Sequence, residues 1–298
     1  MKTKKMEWKE IQALQDAAGK QADELVERLE STAPIDPLAI ARTEYPLLRV
    51  GGENFGSGFD GKLKYRRDRG CFLLMYNKRF DAGLSPGQLH PRTRFSIGHE
   101  LGHFFLEHHQ QYLRKGGKPH ASFAEYNSDE VVEREADAFA ASLLMPTHLA
   151  RPIVNAAELS RERLLDIAQH FSVSLVSTAI RCVRLCHYPC ALAGIRDGKV
   201  AWMFASEALI KAGIYPRRNM LPSTAELPWD DFESGGDNWV TDDGYVRDWF
   251  DTYERTELNK VILLEEYTPV LAMDTLLVLL TINEDDLFED DDVEDSDE

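Results

Sequence analysis

Two histidines four residues apart, His99 and His103, enclose Glu100 in the sequence HELGH. The apolar residues around this motif recur with helical spacing, which predicts a helix over residues 98–109. Residues i and i+4 leave a helix from one face about one turn apart, as two imidazole ligands of a single zinc ion must. The glutamate beside them is placed to accept a proton from water that the metal activates. The motif therefore predicts a helix with two metal ligands and a general base.

A third metal ligand is needed, and two positions in the sequence offer one. His109, six residues after His103, fits the spacing HExxHxxGxxH, but that pattern needs a glycine where this chain has Leu106. A continuing helix turns His109 about 240° away from His103. We therefore predict that His108 and His109 lie at the solvated end of the helix. The favoured third ligand is Glu133, on a second helix.

The second helix is predicted over residues 128–145, where acidic residues precede a stripe of apolar ones. Glu133 and Asp137 are four residues apart and share a face. We expect Glu133 to bind the metal and Asp137 to hydrogen-bond a ligand histidine, which fixes the tautomer of the ring. Glu135 is an alternative ligand, but it lies about 200° around the helix from Glu133.

The segments RFSIGHELGHFFLEH and EREADAFAASLLMP, with PIDPLAIA upstream, resemble the ImmA/IrrE family of zinc metallopeptidases over about residues 20–150. The resemblance implies an α+β, gluzincin-like peptidase domain, placed at residues 1–155. It also implies cleavage of a helix-turn-helix repressor that controls a stress regulon or a mobile element. By the same resemblance Glu100 is the general base and zinc is bound by His99, His103 and Glu133.

Two further roles at the site are predicted. The strand CFLLMYN, residues 71–77, is expected to lie at the edge of a sheet and to pair with an extended substrate, by analogy with other zincins. Tyr126 and His120 lie in the loop between the two motif helices. They are our candidates for stabilising the oxyanion.

Residues 156–187 are predicted to form a helix-turn-helix-like segment, similar to one in IrrE-like proteins. The second helix of this segment presents one cation, Arg181, among mostly uncharged side chains. Phosphate contacts supply most non-specific affinity for DNA, so packing or docking of a protein substrate is favoured over direct DNA binding. Cys182, Cys186 and Cys190 are expected to be buried cysteines and not metal ligands.

Residues 188–283 alternate short strands and loops, with a hairpin predicted to turn at Asp197-Gly198. They predict a C-terminal regulatory or sensory α+β domain, for which a GAF-like domain is the counterpart in IrrE-like proteins. In residues 284–298, 11 of 15 side chains are acidic, which predicts a disordered tail. The tail is expected to aid solubility, and the alternative is a DNA-mimicking or autoinhibitory role.

Charge is uneven along the chain: residues 1–200 carry 28 Lys and Arg against 25 Asp and Glu, and residues 201–298 carry 6 against 26. The N-terminus has no apolar stretch typical of a signal peptide, and the cysteines are too few for a disulfide framework. The longest apolar run, residues 276–282, is far shorter than the ~20 residues of a membrane span. These features predict a cytoplasmic protein without a membrane segment.

Together the motifs predict a zinc-dependent endopeptidase that acts on a specific protein partner. The alternative is a non-catalytic DNA-binding or toxin–antitoxin regulator that keeps the peptidase fold as a binding scaffold. An intact Glu100 favours the enzyme. A basic patch in the helix-turn-helix-like segment would favour the regulator.

Overall fold

The computed structural model of the protein describes residues 8–117, 121–122 and 131–287. Its helices, in chain order, are α1 (Trp8–Arg28), α2 (Pro37–Thr43), α3 (Pro91–Phe105), α4 (Glu107–Arg114), α5 (Val131–Leu144), α6 (Thr147–Val154), α7 (Arg161–Phe171), α8 (Leu175–Leu185), α9 (Glu207–Lys211), α10 (Glu226–Glu233) and α11 (Val246–Trp249). Its strands are β1 (Leu48–Glu53), β2 (Gly61–Arg66), β3 (Cys71–Asn77), β4 (Ala121–Ser122), β5 (Cys190–Arg196), β6 (Lys199–Ala205), β7 (Tyr215–Pro216), β8 (Val240–Tyr245), β9 (Phe250–Asp251), β10 (Ile262–Val270) and β11 (Thr275–Thr281). No described helix is both long enough and apolar enough to cross a membrane.

The chain divides into two compact units, residues 1–149 with 168–174, and residues 150–167 with 175–298. The sheet of the first unit has the strand order β1-β3-β2-β4. Strand β3 pairs in parallel with β1 and antiparallel with β2, so it lies inside the sheet. The prediction that residues 71–77 form an edge strand is therefore wrong. Their almost unbroken apolar sequence reflects burial of side chains on both faces of the strand and does not determine its place in the strand order. The edges among the described strands are β1 and β4.

Helix α3 ends at Phe105, so the predicted continuous helix to residue 109 is also wrong. Leu106 has an extended conformation (φ −73°, ψ 112°) and separates α3 from α4. The Leu106 side chain is buried, which anchors the bend in the core. The last carbonyls of a helix have no partner within it, and Gln110 Nε2 donates a hydrogen bond of 2.8 Å to one of them, that of Phe104.

The start of α3 is held by buried charge. Asp60, only 2% exposed, accepts hydrogen bonds from Arg79 Nη2 at 2.7 Å and from Arg92 Nε at 2.9 Å. Before the helix, His90 Nδ1 accepts a hydrogen bond from the Arg92 backbone N–H, as an N-cap residue does. Asp60 immediately precedes β2, so these contacts fix the first turn of α3 against the start of that strand.

Helices α3 and α5 pack at close range because glycines of α3 face alanines of α5. A Cβ atom at Gly102 would lie 3.1 Å from Cα of Ala136, and one at Gly98 would lie 3.3 Å from Cβ of Ala140. Any larger side chain at these glycines would push the helices apart. The packing brings the first turns of α5 alongside the HELGH segment.

The second unit contains an antiparallel sheet with the strand order β6-β5-β11-β10-β8. Between β5 and β6, Asp197 and Gly198 both have positive φ (49° and 64°), as a two-residue hairpin turn requires, so the predicted hairpin is confirmed. The mixed helices and sheets, with a C-terminal β-sheet domain, confirm the α+β class. The GAF-like assignment stays a prediction.

The structure describes the first four residues of the predicted tail, 284–287, and they are folded. Residues Glu284–Asp286 form a short 3-10 helix, and Leu287 is buried in the core of the second unit. The number of acidic residues in the segment does not predict this contact, because a single apolar side chain, that of Leu287, makes it. Residues 288–298 lie outside the described residues.

The predicted helix-turn-helix-like segment corresponds to α7 and α8. Ser177 and Thr178 of α8, which a recognition helix would present to DNA, are buried. The four cysteines are free and buried as expected. The domain boundaries predicted from the sequence, at residues 155 and 187, stay predictions.

Candidate metal centre

The structure brings His99, His103 and Glu133 together. His99 Nε2 lies 3.1 Å from His103 Nε2 and 3.1 Å from Glu133 Oε2, and His103 Nε2 lies 3.6 Å from Glu133 Oε1. A tetrahedral zinc ion with bonds of about 2.05 Å keeps its ligand atoms about 3.3 Å apart. The chemistry and the spacing of the three side chains therefore fit three corners of a zinc site.

A hydrogen bond at the back of the His99 ring places a proton on its Nδ1 atom. Asp137 Oδ1 lies 2.8 Å from His99 Nδ1, so the ring donates from Nδ1 and turns its Nε2 atom towards His103 and Glu133. The Nε2 atoms of His99 and His103 and the carboxylate of Glu133 converge within 3.6 Å. Electron-rich atoms this close repel each other unless positive charge, from a proton or a metal ion, lies between them, so the three side chains could hold a cation.

The electrostatics of the cluster agree with its geometry. Burial disfavours the charged form of His99, but hydrogen bonds to Asp137 and Glu133 outweigh it and raise the pKa of His99 to about 10. Burial disfavours the charged form of Glu133 as well, yet hydrogen bonds to His103 and His99 hold the pKa of Glu133 below its usual range. The centre therefore keeps an ionised carboxylate and attracts positive charge.

Glu100 is 0% exposed and lies on α3 directly after His99. Its negative charge contributes to the raised pKa of His99. A fully buried carboxylate beside a cation site is costly for folding unless nearby charge compensates it. Burial distinguishes Glu100 from the acidic residues that are exposed at the surface. Its role as general base stays a prediction.

His109 is buried, which corrects the prediction that it is solvated. The bend at Leu106 turns it back, so that His109 Nδ1 lies 3.0 Å from His103 Nδ1. It therefore faces the back of the His103 ring and not the point where the three ligand atoms meet. Burial, with the charge of His103, lowers the pKa of His109 to about 4, so this ring is neutral. His108, with 60% of its side chain exposed, is solvated as predicted.

Glu135, the alternative to Glu133, does not join the group of His99, His103 and Glu133, which we call the ligand triangle. Its Oε2 atom lies 3.3 Å from His109 Nε2 and 3.1 Å from His108 Nε2. The buried contact between Glu135 and His109 is the part of the site that the sequence analysis missed. Tyr126 and His120 lie outside the described residues, and their predicted role as oxyanion stabilisers stays a prediction.

Residues 83–183 match the family model of the IrrE N-terminal-like domain, Peptidase_M78, which confirms the resemblance found in the sequence. No curated protein matches the chain. Among solved structures, a Mycobacterium tuberculosis transcriptional regulator is similar, with a TM-score of 0.54 and 13% sequence identity, over 92% of this chain and 80% of that one. At this identity the likeness shows a shared fold alone.

Proposed function

Because residues 83–183 match a peptidase family, we propose that the protein is a zinc-dependent endopeptidase that hydrolyses a peptide bond in a specific protein partner. The partner proposed from the resemblance is a helix-turn-helix transcriptional repressor in a stress response or a mobile element. The observation that supports the proposal is the convergence of His99, His103 and Glu133 beside the buried Glu100.

Zinc, when bound, polarises the scissile carbonyl and lowers the pKa of water. Glu100 accepts the proton of the attacking water and delivers it to the leaving amine. Asp137 holds the Nδ1 proton of His99, which keeps the Nε2 atom of that ring free to bind the metal. Burial of Glu100 keeps solvent from competing for its proton.

We place the substrate on strand β4 and not on β3. Helices α3 and α4 both pack against β2, which pairs with the edge strand β4, whereas the other described edge strand, β1, packs against α2. An extended peptide adds to the edge of a sheet through backbone hydrogen bonds. The proposed peptide therefore binds as a further strand beside β4.

Removal of the metal tests the proposal. A small helix-turn-helix repressor encoded by a neighbouring gene is the substrate to try, with intact mass as the measurement of cleavage. We expect two fragments with the zinc-loaded protein, none after chelation, and recovery when one equivalent of zinc is returned. Mg²⁺ serves as the control because it prefers oxygen ligands in octahedral geometry and does not suit two imidazoles. Full cleavage by the chelated, zinc-free protein would contradict the proposal.

Asp137→Ala is expected to weaken zinc binding by about 10- to 100-fold, because the His99 ring loses the acceptor that holds its tautomer. Asp137→Asn is the matched control, since its amide oxygen still accepts a hydrogen bond from Nδ1, and it should lose less. The measurement is competition for zinc against a chromophoric chelator. Equal affinity of Asp137→Ala and the wild type would show that this carboxylate does not support the ligand.

A further inference from the structure

A second path of buried hydrogen bonds leads from His103 to α5. His103 Nδ1 lies 3.0 Å from His109 Nδ1, and His109 Nε2 lies 3.3 Å from Glu135 Oε2. His103, His109 and Glu135 are all buried. Both ligand histidines thus have a carboxylate of α5 behind them, directly for His99 and through the ring of His109 for His103.

The protons on this path can be assigned from the ligand. A neutral imidazole carries one N–H, so when His103 binds metal with Nε2 its proton is on Nδ1. The Nδ1 atom of His109 must then accept, which leaves the proton of His109 on Nε2, facing the carboxylate of Glu135. Along the path, His103 therefore donates to His109, and His109 donates to Glu135.

The same assignment argues against a second metal site. His108, His109 and Glu135 also lie close enough together to hold an ion. A metal there needs a lone pair on His109 Nε2, whereas the hydrogen bond from His103 places a proton on that atom. The Nε2 atom of His109 therefore donates to Glu135, and the group is a hydrogen-bond network.

We propose that His109 and Glu135 are positioning residues of the metal centre, which hold His103 in the tautomer and orientation that bind zinc. The inference rests on the proposed zinc site and not on peptidase activity. A carboxylate behind a ligand histidine fixes the ring and makes it a stronger donor. Here the neutral ring of His109 transmits this effect to His103.

The test compares three substitutions of His109 by zinc competition, with the folded state of each variant checked by circular dichroism. His109→Leu keeps most of the volume but removes the acceptor, and we expect zinc affinity to fall about 10- to 100-fold. His109→Asn places an amide oxygen near the former Nδ1 atom and should recover most of the loss. His109→Gln reaches towards the position of Nε2 instead, so it should bind zinc as weakly as His109→Leu.

These variants separate positioning from packing. If His109 only fills space, the larger side chains of Leu and Gln should serve better than Asn, and that order would overturn the proposal. The control is His108→Leu, which removes the other partner of Glu135 without touching His103, and it should leave zinc affinity unchanged. Two zinc ions per wild-type chain and one in His108→Leu would overturn it in favour of a second metal site. A wild type that binds no zinc would defeat the proposed function itself, whereas a normal His109→Leu would defeat only this inference.

Discussion

Glu100→Gln is expected to lower the rate of peptide hydrolysis by about 10²- to 10⁴-fold, the contribution of a general base, while the fold and the zinc content are unchanged. Glutamine is nearly isosteric with glutamate, and Glu100 lies outside the ligand triangle of His99, His103 and Glu133. The amide nitrogen and oxygen of glutamine do not take up a proton from water at neutral pH. The substitution therefore removes proton transfer without removing the metal.

This prediction is tested by co-expressing the wild type or the Glu100→Gln variant with the candidate repressor. The length of the repressor on a gel reports cleavage, and its release from operator DNA reports function. Glu107→Gln is the matched control, since Glu107 is an exposed glutamate at the start of α4 and its loss should change neither readout. Full derepression by Glu100→Gln with an intact repressor would overturn the enzymatic proposal, because the protein would then act by binding alone.

Glu133→Ala should reduce the zinc content from about one ion per chain to almost none after desalting. Its carboxylate completes the proposed ligand set with His99 and His103, and loss of one of three protein ligands leaves too few donors for tight binding. His99→Ala and His103→Ala should give the same result. Glu135→Ala is the contrasting variant, because Glu135 contacts His109 and not the triangle, so it should retain about one zinc ion with lower affinity.

Metal analysis of the desalted proteins, together with thermal unfolding of each apo form, measures these differences. The unfolding data show whether a variant lost its metal or its fold. Loss of zinc in Glu135→Ala with retention in Glu133→Ala would mean that the third ligand had been misassigned.

The convergence of the three proposed metal ligands could be predicted from the sequence because helical spacing relates the residues on each helix. His99 and His103 are one turn apart on α3, and Glu133 has the same spacing from Asp137 on α5. The i, i+4 spacing predicts which side chains share a face wherever the helix is regular. The environment of His109 was not accessible, because the bend at Leu106 has neither glycine nor proline to mark it and depends on burial of that leucine in the core.

The place of β3 inside the sheet could not be predicted from the sequence, for a related reason. An apolar strand such as β3 has the same sequence pattern whether one neighbour or two will pair with it. Strand order depends on long-range pairing, here the parallel pairing of β3 with β1 and its antiparallel pairing with β2. The contacts of Asp60 with Arg79 and Arg92 are equally long-range, and no motif in the sequence predicts them.

The close seam between α3 and α5 also restricts how this chain can evolve. Gly98 and Gly102 meet Ala140 and Ala136 so closely that a methyl group added at either glycine would force its neighbours to shift, although none of the four has a functional group. Enlarging either glycine would move the helix that supplies Glu133 relative to the one that supplies both histidines, so a substitution that touches no proposed metal ligand would still disturb the candidate centre. Change at these positions is therefore limited by the geometry of the centre as well as by the packing of the core.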